Sequence, residues 1–97
     1  MKECHSLTEV REEIDKVDDR IIELIAERNN YIKQAARFKE TIDQVKAPDR
    51  IEAVIQRLRH KALELDLSPN LINDLYTMMI DEMVETEIAE LRNAKDL

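Results

Sequence analysis

The chain has 97 residues, 43% hydrophobic and 38% charged, with a net charge of −7 and no glycine. That balance fits one helical domain rather than a sheet protein, and the lack of glycine excludes a phosphate loop or a dinucleotide-binding turn. The negative charge argues against general affinity for DNA or anionic membranes, and 3% aromatic residues are too few to stack single-stranded nucleic acid.

Residues 1–5 are expected to form a loose N-terminal tail. Ser6 is a candidate N-cap, with Glu9 three residues on to complete a capping box. Leu7, Val10, Ile14, Val17, Ile21, Leu24, Tyr31, Ala35 and Phe38 then recur at intervals of mainly three and four residues, which predicts a single amphipathic helix from Ser6 to about Glu40. Such a helix is roughly 50 Å long, whereas a compact chain of this size is about 32 Å across. It must protrude, and its apolar stripe needs a partner, for which an intertwined homodimer is the simplest answer.

A break is expected around residues 41–47. Pro48 suits the first position of a second helix, expected over residues 48–65 with Ile51, Val54, Ile55, Leu58, Ala62 and Leu65 as its buried face. Ser68 and Pro69 form a further N-cap and N1 pair, opening a third helix from Pro69 to about Asn93. The expected fold is therefore all-α: one long, one short and one medium helix in an intertwined homodimeric bundle, with a single domain over residues 1–97.

The chemistry-bearing residues interrupt these stripes. Arg28 takes the beat where an apolar residue belongs, and a buried guanidinium is costly unless an anion meets it. Projected along a continuous helix, Lys39 falls within about 20° of the same face and roughly 16 Å further on. Ile32 and Ala35 leave a shallow apolar gap between the two cations, suited to a small ringed dianion. Arg11 lies about 25 Å before Arg28, so it can share a site with it only across an antiparallel dimer. Arg50 stands in the first turn of the second helix, where the dipole favours anions and a cation is misplaced without one.

On the third helix, Glu87 falls in the middle of a face made by Tyr76, Ile80, Met83, Val84 and Leu91, with Met78 and Met79 expected in the core. A carboxyl there either bears a proton as a hydrogen-bond donor or pairs with an Arg or Lys from another helix. The charge distribution points the same way: residues 31–61 carry a net +4, between stretches of −4 and −7. A single Cys4 excludes an internal disulfide framework, and Cys4, His5 and His60 make no metal constellation. No signal-like or membrane-length apolar run occurs. A cytoplasmic protein with no metal, no cofactor and neither nucleic-acid nor membrane partner is expected.

Two stretches carry a family resemblance: VREEIDKVDDRIIELIAERNNYIKQAARFK (Val10 to Lys39) and VKAPDRI (Val45 to Ile51). Over nearly its whole length the chain resembles the all-helical chorismate mutase class, and within it the isochorismate-pyruvate lyases of salicylate and siderophore biosynthesis. The resemblance implies an intertwined dimer with two equivalent sites for a small dicarboxylate. Arg28 would bind one substrate carboxylate, and Arg11 from the partner subunit the other. Lys39, on the loop side, would hydrogen-bond the ether oxygen whose bond breaks, and Arg50 would help close the site. Val84 would line the pocket. Glu87 stands where most bacterial members have a glutamine that donates to that ether oxygen and fungal mutases have glutamate.

Departures from the mutase pattern bear on the branch. Ala47, Arg50 and Ile51 stand where mutases usually show an Asp and a following Arg-Glu pair, and the Ala-Pro-acid-Arg-aliphatic string is the lyase-like form. Glu87 departs from the lyase pattern as well. Three readings follow: an isochorismate pyruvate lyase with chorismate mutase activity, a primary chorismate mutase, or a non-enzymatic helical dimerisation module in which Arg28 and Glu87 are buried specificity devices.

Overall fold

The computed structural model describes residues 1–96, with side chains through residue 93. Its elements are α1 (Leu7–Ala36), α2 (Ile42–Lys46), α3 (Pro48–Glu64) and α4 (Pro69–Asp96). The all-helical expectation holds: three long helices and one of a single turn, with no strand among the described residues. The chain divides into two compact units, Met1–Tyr31 and Ile32 onward, and α1 contributes to both.

In the first unit, the start of α1 is fixed locally. Ser6 Oγ accepts from the Glu9 N–H at 3.1 Å, while the Glu9 carboxylate accepts from the His5 N–H at 2.9 Å. The box is thus closed one residue earlier than its usual form. Lys2 and Lys16 both reach Glu13, at 3.3 and 3.2 Å, tying residues 1–5 to the helix. None of residues 7–31 is buried, and Leu7, Ile14, Ile21 and Leu24 are exposed along the predicted stripe.

In the second unit, α1 ends four residues earlier than its periodicity suggests. The N–H groups of Arg37, Phe38 and Lys39 turn to the carbonyls three residues back, at 3.1, 3.0 and 3.3 Å, the tightening that often closes a helix. The next two amides, of Glu40 and Thr41, are taken by the Gln44 side chain and cannot extend the ladder. Lys39 therefore lies beyond the helix, and its projection onto the face of Arg28 does not apply.

The expected break instead holds α2. Thr41 Oγ1 accepts from the Gln44 N–H at 3.2 Å and Gln44 reaches back to the Thr41 N–H, a complete capping box. Ala47 then links α2 to α3 in a left-handed conformation, φ 29° and ψ 63°, directly before Pro48.

The turn from α3 to α4 is a Schellman closure with aspartate in the position glycine usually takes. Asp66 sits at φ 57°, the Leu67 N–H reaches the Ala62 carbonyl at 2.8 Å, and the Asp66 N–H reaches that of Leu63 at 3.3 Å. Ser68 Oγ caps α4 by accepting from the Leu71 N–H at 3.3 Å, as its sequence position predicts. Arg59 Nη1 donates to the Pro69 carbonyl at 3.3 Å across the turn.

α4 is the spine of this unit, packed against by α3 and α2. Val54 and Ala62 are buried on α3, Ile80, Met83, Ile88 and Leu91 on α4, and Val45 on α2. Two expected core residues lie outside. Leu65 is exposed because the turn takes it past the helix end, and Met78 is exposed because it sits about 200° from Ile80 around α4.

Candidate active site

The centre of the second unit holds one buried charge. Glu87 is 3% exposed, and among the described residues the other buried positions are all apolar: Ala36, Val45, Val54, Ala62, Ile80, Met83, Ile88 and Leu91. On α4 its neighbours one turn away are Met83 and Leu91, and Val84 packs with Val45, Ile88 and Leu91 into one apolar cluster. An isolated carboxylate in such surroundings costs several kcal/mol of lost hydration. Lys39, 48 residues away in sequence, supplies the counter-charge: its Nζ donates to Glu87 Oε2 at 2.8 Å and to Oε1 at 3.2 Å. Of the two outcomes the sequence leaves open for Glu87, the ion pair is the one observed.

The pair is lopsided. The Glu87 side chain is 4% exposed and that of Lys39 25%. The carboxylate lies behind and the ammonium in front. An ammonium has three protons to donate; two are directed at Glu87, which leaves one for an incoming oxygen. Both carboxylate oxygens being engaged, Glu87 acts as an acceptor that fixes the position of the cation.

The other residues named from sequence stand as follows. Val84 is half-buried beside this cluster. Arg50 is exposed in the first turn of α3, two residues after Pro48. Arg28 is half-buried and Arg11 exposed, both on the part of α1 in the first unit and about 25 Å apart along the helix axis. Within the second unit, then, the fold brings together Lys39, Glu87 and Val84. Sequence reasoning missed the contribution of Thr41, Gln44 and Val45, which follow Lys39 in the chain: Gln44 accepts from the Glu40 and Thr41 amides, and Val45 is buried against α4. The Thr-x-x-Gln pattern of residues 41–44 was the available signal.

Among the described residues, no three His, Cys, Asp or Glu side chains converge as a metal site requires. No helix of the described residues is long and apolar enough to cross a membrane.

A partly buried Lys–Glu pair on an all-helical frame is a feature many proteins could share; likeness in sequence decides between them. Residues 10–88 match the family described as chorismate mutase type II. The chain belongs to the chorismate mutase type II family. It is 28% identical over 94 residues to an isochorismate pyruvate lyase of Pseudomonas aeruginosa, covering 97% of this chain and 93% of that protein. It is 30% identical over 76 residues to a chorismate mutase of Methanocaldococcus jannaschii, 77% of each chain. A bifunctional chorismate mutase/prephenate dehydratase of Buchnera aphidicola is 30% identical over 84 residues, which make up 86% of this chain and 22% of that longer protein. The matched segment of this chorismate mutase family member contains Arg11, Arg28, Lys39, Arg50, Val84 and Glu87 alike.

Proposed function

We propose that the chain is an isochorismate pyruvate lyase that also rearranges chorismate to prephenate, acting as an intertwined homodimer with shared sites. The observation that carries this reading is the Lys39–Glu87 pair. It offers an ammonium held by a buried carboxylate, at the sequence position where the family resemblance puts the donor to the ether oxygen.

Either reaction is pericyclic and needs no nucleophile. In the lyase reaction the C–O bond to the enolpyruvyl group breaks, a ring hydrogen passes to the enolpyruvyl methylene carbon, and salicylate and pyruvate remain. In the rearrangement the same C–O bond breaks as a new C–C bond forms. Both build negative charge on the ether oxygen, and a fixed donor stabilises that charge more in the transition state than in the ground state. Lys39 supplies it. Arg28 and the partner subunit's Arg11 bind the two carboxylates and hold the flexible substrate in its compact conformer; Arg50 closes the site at the start of α3. Glu87 holds Lys39 in place by accepting two of its hydrogen bonds.

Ala47, Arg50 and Ile51 favour the lyase over the mutase, because no acid stands at position 51 to hold the ring hydroxyl of chorismate. The likeness to the lyase of Pseudomonas aeruginosa, which extends over 97% of the chain, supports the same choice. The Methanocaldococcus mutase, at 30% identity, keeps primary mutase activity as the second reading. Supplying chorismate and isochorismate separately and identifying the products by chromatography decides between them. Faster release of salicylate and pyruvate is expected; prephenate as the dominant product would establish the mutase reading, and no product from either would overturn both.

A further inference from the structure

Lys39 lies outside any helix, between the last residue of α1 and the first of α2, yet its ammonium must meet a carboxylate buried on α4. A long side chain on an untethered segment spreads over many positions, and a displacement of about 1 Å can cost a hundredfold in rate. Something must hold the main chain of Lys39 still. On its N-terminal side, the Lys39 N–H is bonded to the Ala36 carbonyl at 3.3 Å. On its C-terminal side, the Glu40 N–H, part of the peptide group that follows Lys39, donates to Gln44 Oε1 at 2.6 Å. The same oxygen accepts from the Thr41 N–H at 3.2 Å. Gln44 thus gathers two successive amides immediately after the lysine.

Gln44 is itself fixed. Its N–H donates to Thr41 Oγ1 at 3.2 Å, and the next residue, Val45, is 3% exposed in the cluster with Ile88 and Leu91. Those two α4 residues lie one and four positions beyond Glu87. The helix that carries the carboxylate therefore also receives the apolar anchor of the segment that carries the ammonium. Glu87 and Lys39 are registered to each other twice, once by their own contact and once through Gln44 and Val45.

We propose that Gln44 is a positioning residue for the reaction: its side-chain oxygen clamps the peptide after Lys39 and so fixes where the Lys39 ammonium stands. This rests on the reading that Lys39 acts on the substrate. Gln44 itself is exposed, so replacing it removes the clamp without opening the core.

The test compares Gln44→Leu, which keeps the bulk and loses the acceptor, with Gln44→Glu, which keeps an oxygen for both amides. Both variants are assayed for turnover of whichever substrate the wild type processes faster, alongside Lys39→Ala and the double variant Lys39→Ala/Gln44→Leu. Gln44→Leu is expected to lower kcat roughly 10- to 100-fold, with a thermal midpoint within a few degrees of wild type. Gln44→Glu restores turnover, and Gln44→Leu has no further effect once Lys39 is gone, because the clamp acts only through the lysine. Amide hydrogen exchange at Glu40 quickens in Gln44→Leu and not in Gln44→Glu. If Lys39→Ala is inactive while Gln44→Leu keeps wild-type kcat, the clamp is refuted and the site stands. A multiplicative loss in the double variant also refutes it, since that marks a general structural effect. If Lys39→Ala keeps full turnover, the site reading fails and the positioning role falls with it.

Discussion

The first 31 residues and the middle of α4 invert the usual arrangement in opposite senses. Along α1, Leu7, Ile14, Ile21 and Leu24 stand exposed on a helix that buries nothing through Tyr31. On α4, Glu87 is buried on a helix whose other buried residues, Ile80, Met83, Ile88 and Leu91, are apolar. Each departure costs free energy, but only one is answered within its own unit. Glu87 finds Lys39; the stripe finds nothing in its own unit. In the reading proposed above, the buried charge met by a cation belongs to the chemistry, and the exposed apolar stripe belongs to the contact with a second copy.

The largest expected effect concerns the answered charge. Lys39→Ala should lower turnover about 10²–10³-fold. It should also cost about 2–3 kcal/mol of stability, less than for a fully buried pair because the Lys39 side chain is 25% exposed. Adding Glu87→Gln removes the stranded carboxylate, so the double variant recovers stability in a denaturant titration but not turnover. Equal loss of both quantities, restored together, would make the pair purely structural.

The unanswered stripe is tested next. Ile14→Asp alters an exposed side chain and in an isolated helix would cost about 0.5 kcal/mol or less. Covered by a second copy, as proposed, it should cost about 3 kcal/mol and shift sedimentation from dimer to monomer; an unchanged sedimentation coefficient and midpoint would mean that no copy sits there. Shared sites sharpen the point. Mixing Arg11→Ala chains with Arg28→Ala chains should return about a quarter of wild-type activity, because half the dimers are hybrids with one intact site of two. No recovery after confirmed exchange would confine each site to one chain.

Smaller effects separate local strain from surface charge. Ala47→Gly should stabilise by about 0.5–1 kcal/mol, the left-handed penalty on a Cβ less the added entropy of the unfolded chain. A lower thermal midpoint would show that no strain resides at Ala47. Near the N-terminus, hydrogen bonds from Lys16 and then Lys2 hold the Glu13 carboxyl below its ordinary value of 4.5. A lowered folded-state value means that Glu13 favours folding above its ordinary value, and that this contribution fades as pH falls through the folded-state one. In an NMR titration, Lys16→Ala should move the Glu13 midpoint upward; an unmoved midpoint would remove Lys16 as the cause.

The sequence was a good guide where one interaction decides a structure. Pro48, Ser68 and Pro69 set helix starts by backbone chemistry alone, and the apolar spacing of α1 needs only the helical repeat. It was a poorer guide where interactions compete. Apolar residues continue to Phe38, yet α1 stops at Ala36 because the Gln44 side chain claims the amides of Glu40 and Thr41. Nothing in periodicity reports that contest, although the capping pattern at Thr41 does. Lys39 was singled out by a helical projection that the fold does not use, and it reaches Glu87 from outside the helix instead. Leu65 and Met78 look like core by composition and lie outside, Leu65 because α3 ends at Glu64 and Met78 because it stands on the far side of α4 from Ile80. The partners of a charge 48 positions away cannot be read from local spacing at all.

The short turn through Asp66 gives the second unit an order of assembly. It joins α3 and α4 within a few residues, so their contacts close early, on the microsecond-to-millisecond scale of neighbouring helices. The meeting of Lys39 with Glu87 must close a far longer loop and comes after that hairpin exists. A refolding chain should therefore regain its helical signal well before it regains the ability to turn over substrate.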